Sequence, residues 1–257
     1  MAEFPFDRTA AEYDETFSHS LLGRRMRQAV WRRIDRRFVA GQHLLEIGCG
    51  TGEDAVHLAR RGIDVLATDR SAEMVGITRG KAQAEGLDQR IEARQLAIEE
   101  LAALSPRRFD GVLSNFGALN CVEDLGPVAE GLAACLKPGA PMMLCIMGPL
   151  VPWEWAWYLT RGDGRSAFRR LRRGGVPWRG LTIRYPSLRA LRRTFAPAFR
   201  WRGAAAVGAL LPPSYAESWA TRHPRTVAWL DRWERRLETW PPLPWLADHY
   251  LAELERR

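Results

Sequence analysis

Short apolar runs alternate with longer stretches of mixed polarity along the chain from position 43 to about 148. Apolar runs of four to eight residues bounded by turn residues read as buried strands, and apolar positions three and four apart read as helices. Strands are accordingly predicted at 43–47, 63–68, 90–95, 109–114 and 140–147. Helices are predicted to begin just after Gly52, near Ser71, and to cover 98–104 and 123–136, the last stopped by Lys137-Pro138-Gly139. The first forty residues also read as helical, with Leu22, Met26, Val30, Ile34 and Phe38 at helical spacing, and should lie over the sheet. This alternation specifies an α/β fold, a doubly wound and mostly parallel sheet with helices on both faces. Such sheets bind ligands beyond the carboxyl ends of their strands. Glu46, Asp69, Ala97 and Ser114 to Phe116 fall at those ends, so they should converge on one crevice.

Beyond Gly148 the pattern changes. Ten of the eleven tryptophans lie there, and Trp153, Trp155, Trp157 and Tyr158 crowd into about a turn and a half of predicted helix. That is too many aromatics for one buried stripe, so some are expected to face a ligand, a lipid interface or a partner. Further on, 186–195 reads as a helix, 199–211 as a strand, 216–237 as a helix with Trp229 and Trp233 on one face, and 249–254 as a last strand.

Length and composition (257 residues, 46% hydrophobic, 26% charged) fit one domain over 1–257. It divides into a helical cap (1–40), a cofactor-binding core (41–148), an insertion (149–185) and a C-terminal part (186–257). The opening Met1-Ala2-Glu3-Phe4-Pro5 is too polar for a secretory leader. The longest apolar run, 140–151, is too short for a bilayer and holds two prolines. A cytoplasmic protein is expected, with peripheral membrane contact left open. Cys49, Cys121, Cys135 and Cys145 form no CxxC pair and no histidines stand at metal spacing, so free thiols and no metal are expected. The net charge of +8 is concentrated, with thirteen arginines against one acid from 161 to 202. Genome bias gives the same excess, since only Lys81 and Lys137 are lysines. Otherwise such a segment suits an anionic substrate, a membrane surface or nucleic acid, and tryptophan beside arginine suits headgroups and stacked bases alike.

Gly48, Gly50 and Gly52 follow the first strand at every second position, a spacing that lets the backbone approach a ligand where a Cβ would clash. The dinucleotide pattern G-x-G-x-x-G needs a glycine where this chain has Glu53, which weighs against a dehydrogenase. Glu46 beside the turn would repel a pyrophosphate but suits a cofactor carrying an ammonium and ribose hydroxyls. Glu46-Ile47-Gly48-Cys49-Gly50-Thr51-Gly52 resembles the first motif, E/D-x-G-x-G-x-G, of the class I S-adenosylmethionine-dependent methyltransferases. The resemblance implies a Rossmann-like seven-stranded sheet completed by an antiparallel edge hairpin of the two late strands. It also implies a Trp/Arg-rich lid over 149–185 and S-adenosyl-L-methionine as cofactor. It implies backbone contacts from Gly48, Cys49, Gly50 and Gly52, Glu46 near the amino acid moiety, and Asp69 with Arg70 at the ribose. Met74, Ile98 and the backbone of Ala97 would surround adenine, and Asn115 and Phe116 would lie beside the methionine end. Ala97 departs from the family, where an Asp is usual.

Phe6-Asp7-Arg8-Thr9-Ala10-Ala11-Glu12-Tyr13-Asp14-Glu15-Thr16-Phe17 is similar to the lead-in of small-molecule methyltransferases, including quinone-biosynthesis C-methyltransferases, and implies Tyr13 as a lid aromatic. Ser114-Asn115-Phe116-Gly117 is not the N-P-P-Y signature of enzymes that methylate nucleobase or glutamine amino groups, which disfavours a DNA or protein-amide target. The family implies methyl transfer to a small, largely apolar acceptor such as a quinone precursor, polyketide or lipid-like molecule. In-line displacement chiefly requires positioning, and Tyr13, Glu154 and His249 are the candidates for any proton transfer. Two alternatives stay open: an RNA or other nucleic-acid methyltransferase using the arginines, and a catalytically silent cofactor-binding protein with a partner or membrane surface.

Overall fold

A computed structural model describes residues 5–104 and 108–257. The first four residues of the predicted cap lie outside the described residues. The cap is helical but broken: a 3-10 turn (Asp7–Thr9), α1 (Ala10–Tyr13), a π-helical turn (Asp14–Ser18) and α2 (Leu21–Ile34). Ser20 separates the last two, its hydroxyl accepting from Gly23 N at 2.9 Å as an N-cap.

The core follows as β1 (His43–Ile47), α3 (Glu53–Arg60), β2 (Asp64–Asp69), α4 (Ala72–Ala84) and β3 (Ile91–Gln95), then β4 (Gly111–Ser114), α5 (Leu125–Cys135) and β5 (Pro141–Met147). The segment Ile98–Leu104 is a 3-10 helix kinked at Glu100 instead of an α-helix. The Trp-rich part holds α6 (Pro152–Leu159), α7 (Gly164–Ala167) and a small hairpin of β6 (Val176–Trp178) and β7 (Leu181–Ile183). The chain ends with α8 (Leu188–Phe195), β8 (Phe199–Val207), α9 (Glu217–Arg222), α10 (Pro224–Leu237) and β9 (His249–Arg256).

Seven strands form one sheet in the order β3-β2-β1-β4-β5-β9-β8. Strands β1 to β5 pair in parallel, and β9 runs antiparallel to both β5 and β8. The late strands pair as expected, but they are no tight hairpin: α9 and α10 lie between them in sequence, and β9 is enclosed while β8 takes the edge. Strand β8 stops at Val207 because Gly208 takes φ +74. The helix expected over 216–237 is two helices, since Pro224 has no N–H to continue α9 and His223 is driven to φ −125, ψ 51.

Near-continuous apolar strands are buried on both faces, as a parallel sheet requires. One face packs on Leu22, Met26, Val30 and Ile34 of α2 and Ala55 and Leu58 of α3. The other packs on Val128 and Leu132 of α5, Leu191 and Phe195 of α8, and Leu101 and Leu104. Each such side chain contributes roughly 1.5–3 kcal/mol when fully buried, so both faces are held firmly and the strand tips between them are fixed. Glu234 of α10 ties that helix to the end of β8, accepting from the backbone N–H groups of Gly208 and Leu210 at 2.7 Å. All four cysteines are free thiols. Among the described residues no helix is long and apolar enough to cross a membrane.

Candidate functional site

The strand order reverses between β1 and β4, and at their carboxyl ends lies a cavity of about 360 Å³. The topology makes this the expected crevice for a ligand. Its floor is the turn leaving β1. Gly48 has φ +68, and a Cβ there would lie 2.1 Å from the Ala118 Cβ. Gly50 has φ +54 and open space where its Cβ would stand, so its backbone faces the cavity bare. Asp69 closes one side from the tip of β2. Its Oδ2 accepts from Gly50 N and its Oδ1 from Ser71 N, each at 2.9 Å. Each carboxylate oxygen keeps a further acceptor position, so Asp69 organises the turn and still offers lone pairs to two hydroxyls. Burial raises its pKa, and those backbone donors work against the rise.

Gly48, Cys49, Gly50, Asp69, Arg70, Met74, Ile98, Asn115 and Phe116 line this cavity together with Tyr13. Glu46, Gly52 and Ala97 do not. Glu46 is 1% exposed and lies under the turn, its Oε2 without any protein partner. Burial first, and the Asp54 charge next, push its carboxyl pKa well up against the opposing effect of Arg27. Gly52 is held against Thr78, where a Cβ would approach Cγ2 to 2.7 Å. The glycine cradle, the spare acceptors on Asp69 and the orphaned oxygen of Glu46 fit a cofactor with ribose hydroxyls and a cationic end.

Three side chains that sequence reasoning passed over organise the site. Asp54, in the first turn of α3, accepts from Arg27 Nη1 and Trp31 Nε1 at 2.6 Å and from Asn115 Nδ2 at 2.9 Å. It therefore joins α2, α3 and the tip of β4 below the cavity. Arg27 also sits 4.9 Å over the Phe116 ring, and Phe116 has the left-handed backbone (φ +46) that bulky residues avoid. Asn120 is fully buried and bridges the end of β5 to the Trp-rich part, accepting from Met147 N at 2.9 Å and donating to the Met147 and Arg184 carbonyls. For Asn120 the available signal was a polar residue inside the apolar run Ala118 to Val122, whereas Arg27 had none among the arginines of α2.

The roof comes from the amino-terminal cap and the insertion. Phe6 and Trp178 line the cavity with ring centroids 4.9 Å apart, and Leu181, Ile183 and Tyr185 continue the wall. Asp14 secures the cap by accepting from Thr51 Oγ1 at 2.6 Å and pairing with Lys81 at 2.6 Å, while Lys81 also pairs with Glu53. Asp14, His19 and Glu53 lie close enough to share a cation, but the Lys81 ammonium already supplies positive charge to the two acids. The helical tryptophans face elsewhere than expected. Trp153 donates to the Leu210 carbonyl and packs near Trp219, Trp155 packs on Phe168, and Trp157 on Tyr215. Trp153 and Trp157 join the insertion to the C-terminal part, Trp155 packs within the insertion, and none of the three lines the cavity.

Of the proton-transfer candidates, Tyr13 keeps its phenolic proton, its pKa pushed up to about 12 by burial. Glu154 is buried in ion pairs with Arg170 at 2.8 Å and Arg169 at 3.0 Å and lines neither this cavity nor its neighbour, so it is a structural acid. His249 stands in a neighbouring cavity.

A family described as methyltransferase domain matches residues 44–139. The chain is 37% identical over 108 residues to the ubiquinone biosynthesis O-methyltransferase of Acinetobacter baumannii (strain ACICU), covering 41% of this chain and 45% of that protein. It is 30% identical over 146 residues to the tRNA 5-carboxymethoxyuridine methyltransferase of Escherichia coli (strain K12), covering 54% and 56%. The chain thus spans about half the length of the curated relatives it matches. The crystal structure of an S-adenosylmethionine-dependent methyltransferase from Mesorhizobium loti superposes with a TM-score of 0.57 at 19% identity, covering 89% of this chain and 98% of that one. Residues 44–139 thus match a methyltransferase domain, and the chain shares the fold of S-adenosylmethionine-dependent methyltransferases, with the glycine turn and the acid at the tip of β2 at its centre.

Proposed function

We propose that this protein transfers a methyl group from S-adenosylmethionine to a small, largely apolar acceptor, of the class of quinone precursors, polyketides or lipid-like molecules. The observation that carries the reading is the cavity itself, with a bare glycine cradle and Asp69 on one side and Phe116, Met147, Trp178 and Ile183 on the other. Bound there, the cofactor supplies an electrophilic methyl group. Asp69 and the backbone at Gly50 would hold its ribose, and Glu46, Asp54 and Arg27 would set the charge beneath its amino acid end. Phe116 and the Phe6–Trp178 roof exclude water and restrict the acceptor to a near-attack geometry.

Calorimetric titration with S-adenosylhomocysteine tests this. Micromolar binding is expected, weakened about 10- to 100-fold in Asp69→Ala, as follows from roughly 1.5–3 kcal/mol for hydrogen bonds to a charged group. Absence of binding to the intact protein would overturn the proposal. The arginines of 161–202 support a small acceptor over RNA, because many are engaged: Arg169 and Arg170 with acids, Arg184 with Glu123, Arg202 with Glu255, and Arg161 on the Trp157 ring. The relation to a tRNA-modifying protein makes salt-dependent retention of tRNA the result that would reverse this preference.

A membrane-facing role for the C-terminal helix is the second reading, carried by one observation. Trp229 (58% exposed), Trp233, Trp240 (68% exposed) and Trp245 are exposed beside Arg225, Arg232 and Arg235, whereas Asp231 and Glu234 of the same helix are buried. Such a face suits the boundary of an anionic bilayer, where an apolar acceptor would be found. Co-sedimentation with phosphatidylglycerol-containing vesicles is expected, falling severalfold in Trp229→Ser/Trp240→Ser. Equal sedimentation of the two proteins would remove this reading and leave the first intact.

A further inference from the structure

A second cavity of about 280 Å³ adjoins the first, and Tyr13, Phe116 and Met147 line both. Phe17 and Tyr215 add two more rings to its walls, and its polar side is made by His249, Asp248, Arg169 and Arg170. The fold explains how a histidine comes to stand there. His249 opens β9 and is paired with Met147, the last residue of β5. Because β9 runs against the parallel strands, its amino end lies at their carboxyl edge, beside the ligand crevice.

The imidazole of His249 is buried, meets the Phe116 ring edge-on at 5.5 Å between centroids, and has Nδ1 3.2 Å from Asp248 Oδ2. The two atoms face each other, although the ring does not aim Nδ1 squarely at the carboxylate. Asp248 is fixed from behind: its Oδ1 accepts from Arg170 Nη2 at 2.5 Å, and Arg170 Nη1 donates to the Gly148 and Asp248 carbonyls. Burial would raise the Asp248 pKa, but the Arg170 guanidinium and His249 hold it well below the usual carboxylate range. The cluster holds two acids, Asp248 and Glu154, against two guanidiniums, Arg169 and Arg170. An imidazolium formed at His249 would have the Asp248 carboxylate as its neighbour at 3.2 Å, the acid–imidazole contact that supports a histidine base once it has accepted a proton.

We infer that the second cavity receives the acceptor as a hydroxylated aromatic ring and that His249, oriented by Asp248, is the base that removes its hydroxyl proton; the inference rests on the methyl-transfer reading above. The acceptor O–H bond breaks and its proton passes to Nε2 of His249, the nitrogen turned from Asp248. The oxygen's electron pair forms the O–CH3 bond as the C–S bond breaks, and the pair of that bond stays on sulfur, which leaves as a neutral thioether. The His249 proton then passes to solvent. Four aromatic walls, Tyr13, Phe17, Phe116 and Tyr215, suit a flat ring. Arg169 on the same wall lies near the charge that develops on oxygen. Tyr13 cannot serve as this base because it holds its own proton; it is instead a hydroxyl donor at the partition between the two cavities.

The test uses 4-nitrocatechol, whose phenolate absorbs in the visible range, titrated into the full-length protein loaded with S-adenosylhomocysteine. Growth of the phenolate band on binding is expected for the wild type. In His249→Gln the band is expected to stay at the level of the free probe while S-adenosylhomocysteine affinity changes less than twofold. Supplied with S-adenosylmethionine instead, the wild type should methylate the bound probe, and His249→Gln should do so about 100-fold more slowly, a usual worth for a positioned base. Ser214→Phe, which fills the cavity from its loop side, should lose probe binding at least tenfold and keep cofactor binding. The inference falls if the probe does not bind, if it binds without being methylated, if the band grows equally in His249→Gln, or if Ser214→Phe binds it normally. Failure to bind S-adenosylhomocysteine at all would instead defeat the broader reading.

Discussion

Asp54→Ala is expected to lose about 3–5 kcal/mol of folding stability, the typical cost of removing one partner from a buried ion pair. The residue is 3% exposed and its carboxylate receives three donors, two from α2 and one from the tip of β4. The loss would leave the buried Arg27 guanidinium without its counter-charge, and Trp31 Nε1 and Asn115 Nδ2 without their acceptor. Natural domains are stable by only about 5–15 kcal/mol, so the variant should be largely unfolded under mild denaturant. A urea midpoint, compared with wild type, measures this. Asp54→Asn separates charge from hydrogen bonding: it can still accept from Trp31 but leaves Arg27 uncompensated, and it should recover only part of the loss. A midpoint for Asp54→Ala within experimental error of wild type would show that the hub bears no load.

Gly48→Ala is expected to abolish measurable S-adenosylhomocysteine binding. The added methyl would stand 2.1 Å from the Ala118 Cβ at φ +68, so the turn or the loop after β4 must move, and both border the cavity. Every 1.4 kcal/mol transmitted to the bound state weakens affinity tenfold. Gly50→Ala provides the contrast, since no protein atom lies within 4 Å of its added Cβ. That variant should fold with only the modest penalty of φ +54, about 1–2 kcal/mol, yet bind cofactor poorly because the methyl projects where the ligand approaches. Equal affinities for wild type and both variants would show that the turn is not the cradle.

The sheet was legible in the sequence because its determinants are local. Runs such as Val65 to Thr68 and Met142 to Met147 are too apolar to be anything but strands buried on both faces, and the glycines at 48, 50 and 52 record backbone conformations that few other residues adopt. Asp69 was legible for the same reason, as the acid that ends β2. What escaped was set by distant partners. Arg27 sits among arginines that meet other acids, such as Arg25 with Asp231 and Arg33 with Glu253, and nothing local distinguishes the one that meets Asp54, twenty-seven positions away. Glu154 looked like an acid near a lid, but Arg169 and Arg170 consume it. The tryptophans of α6 looked excessive for one apolar stripe because their partners, Tyr215 and Trp219, come from a part of the chain sixty residues on. Pro224 alone was a local signal left unused, splitting a helix that periodicity drew as one.

The chain's two lysines divide its side-chain amine chemistry in an informative way. Lys137 is about half exposed (52%), whereas Lys81 is held between Asp14 of the cap and Glu53 at the start of α3. The Lys81 side chain keeps 23% of its surface exposed but is paired with both acids, so an acylating reagent should modify it more slowly than Lys137 in the same molecule. Removing the Asp14 carboxylate should narrow that difference, which makes the ratio of the two labelling rates a chemical measure of how tightly the cap is tied to the start of α3.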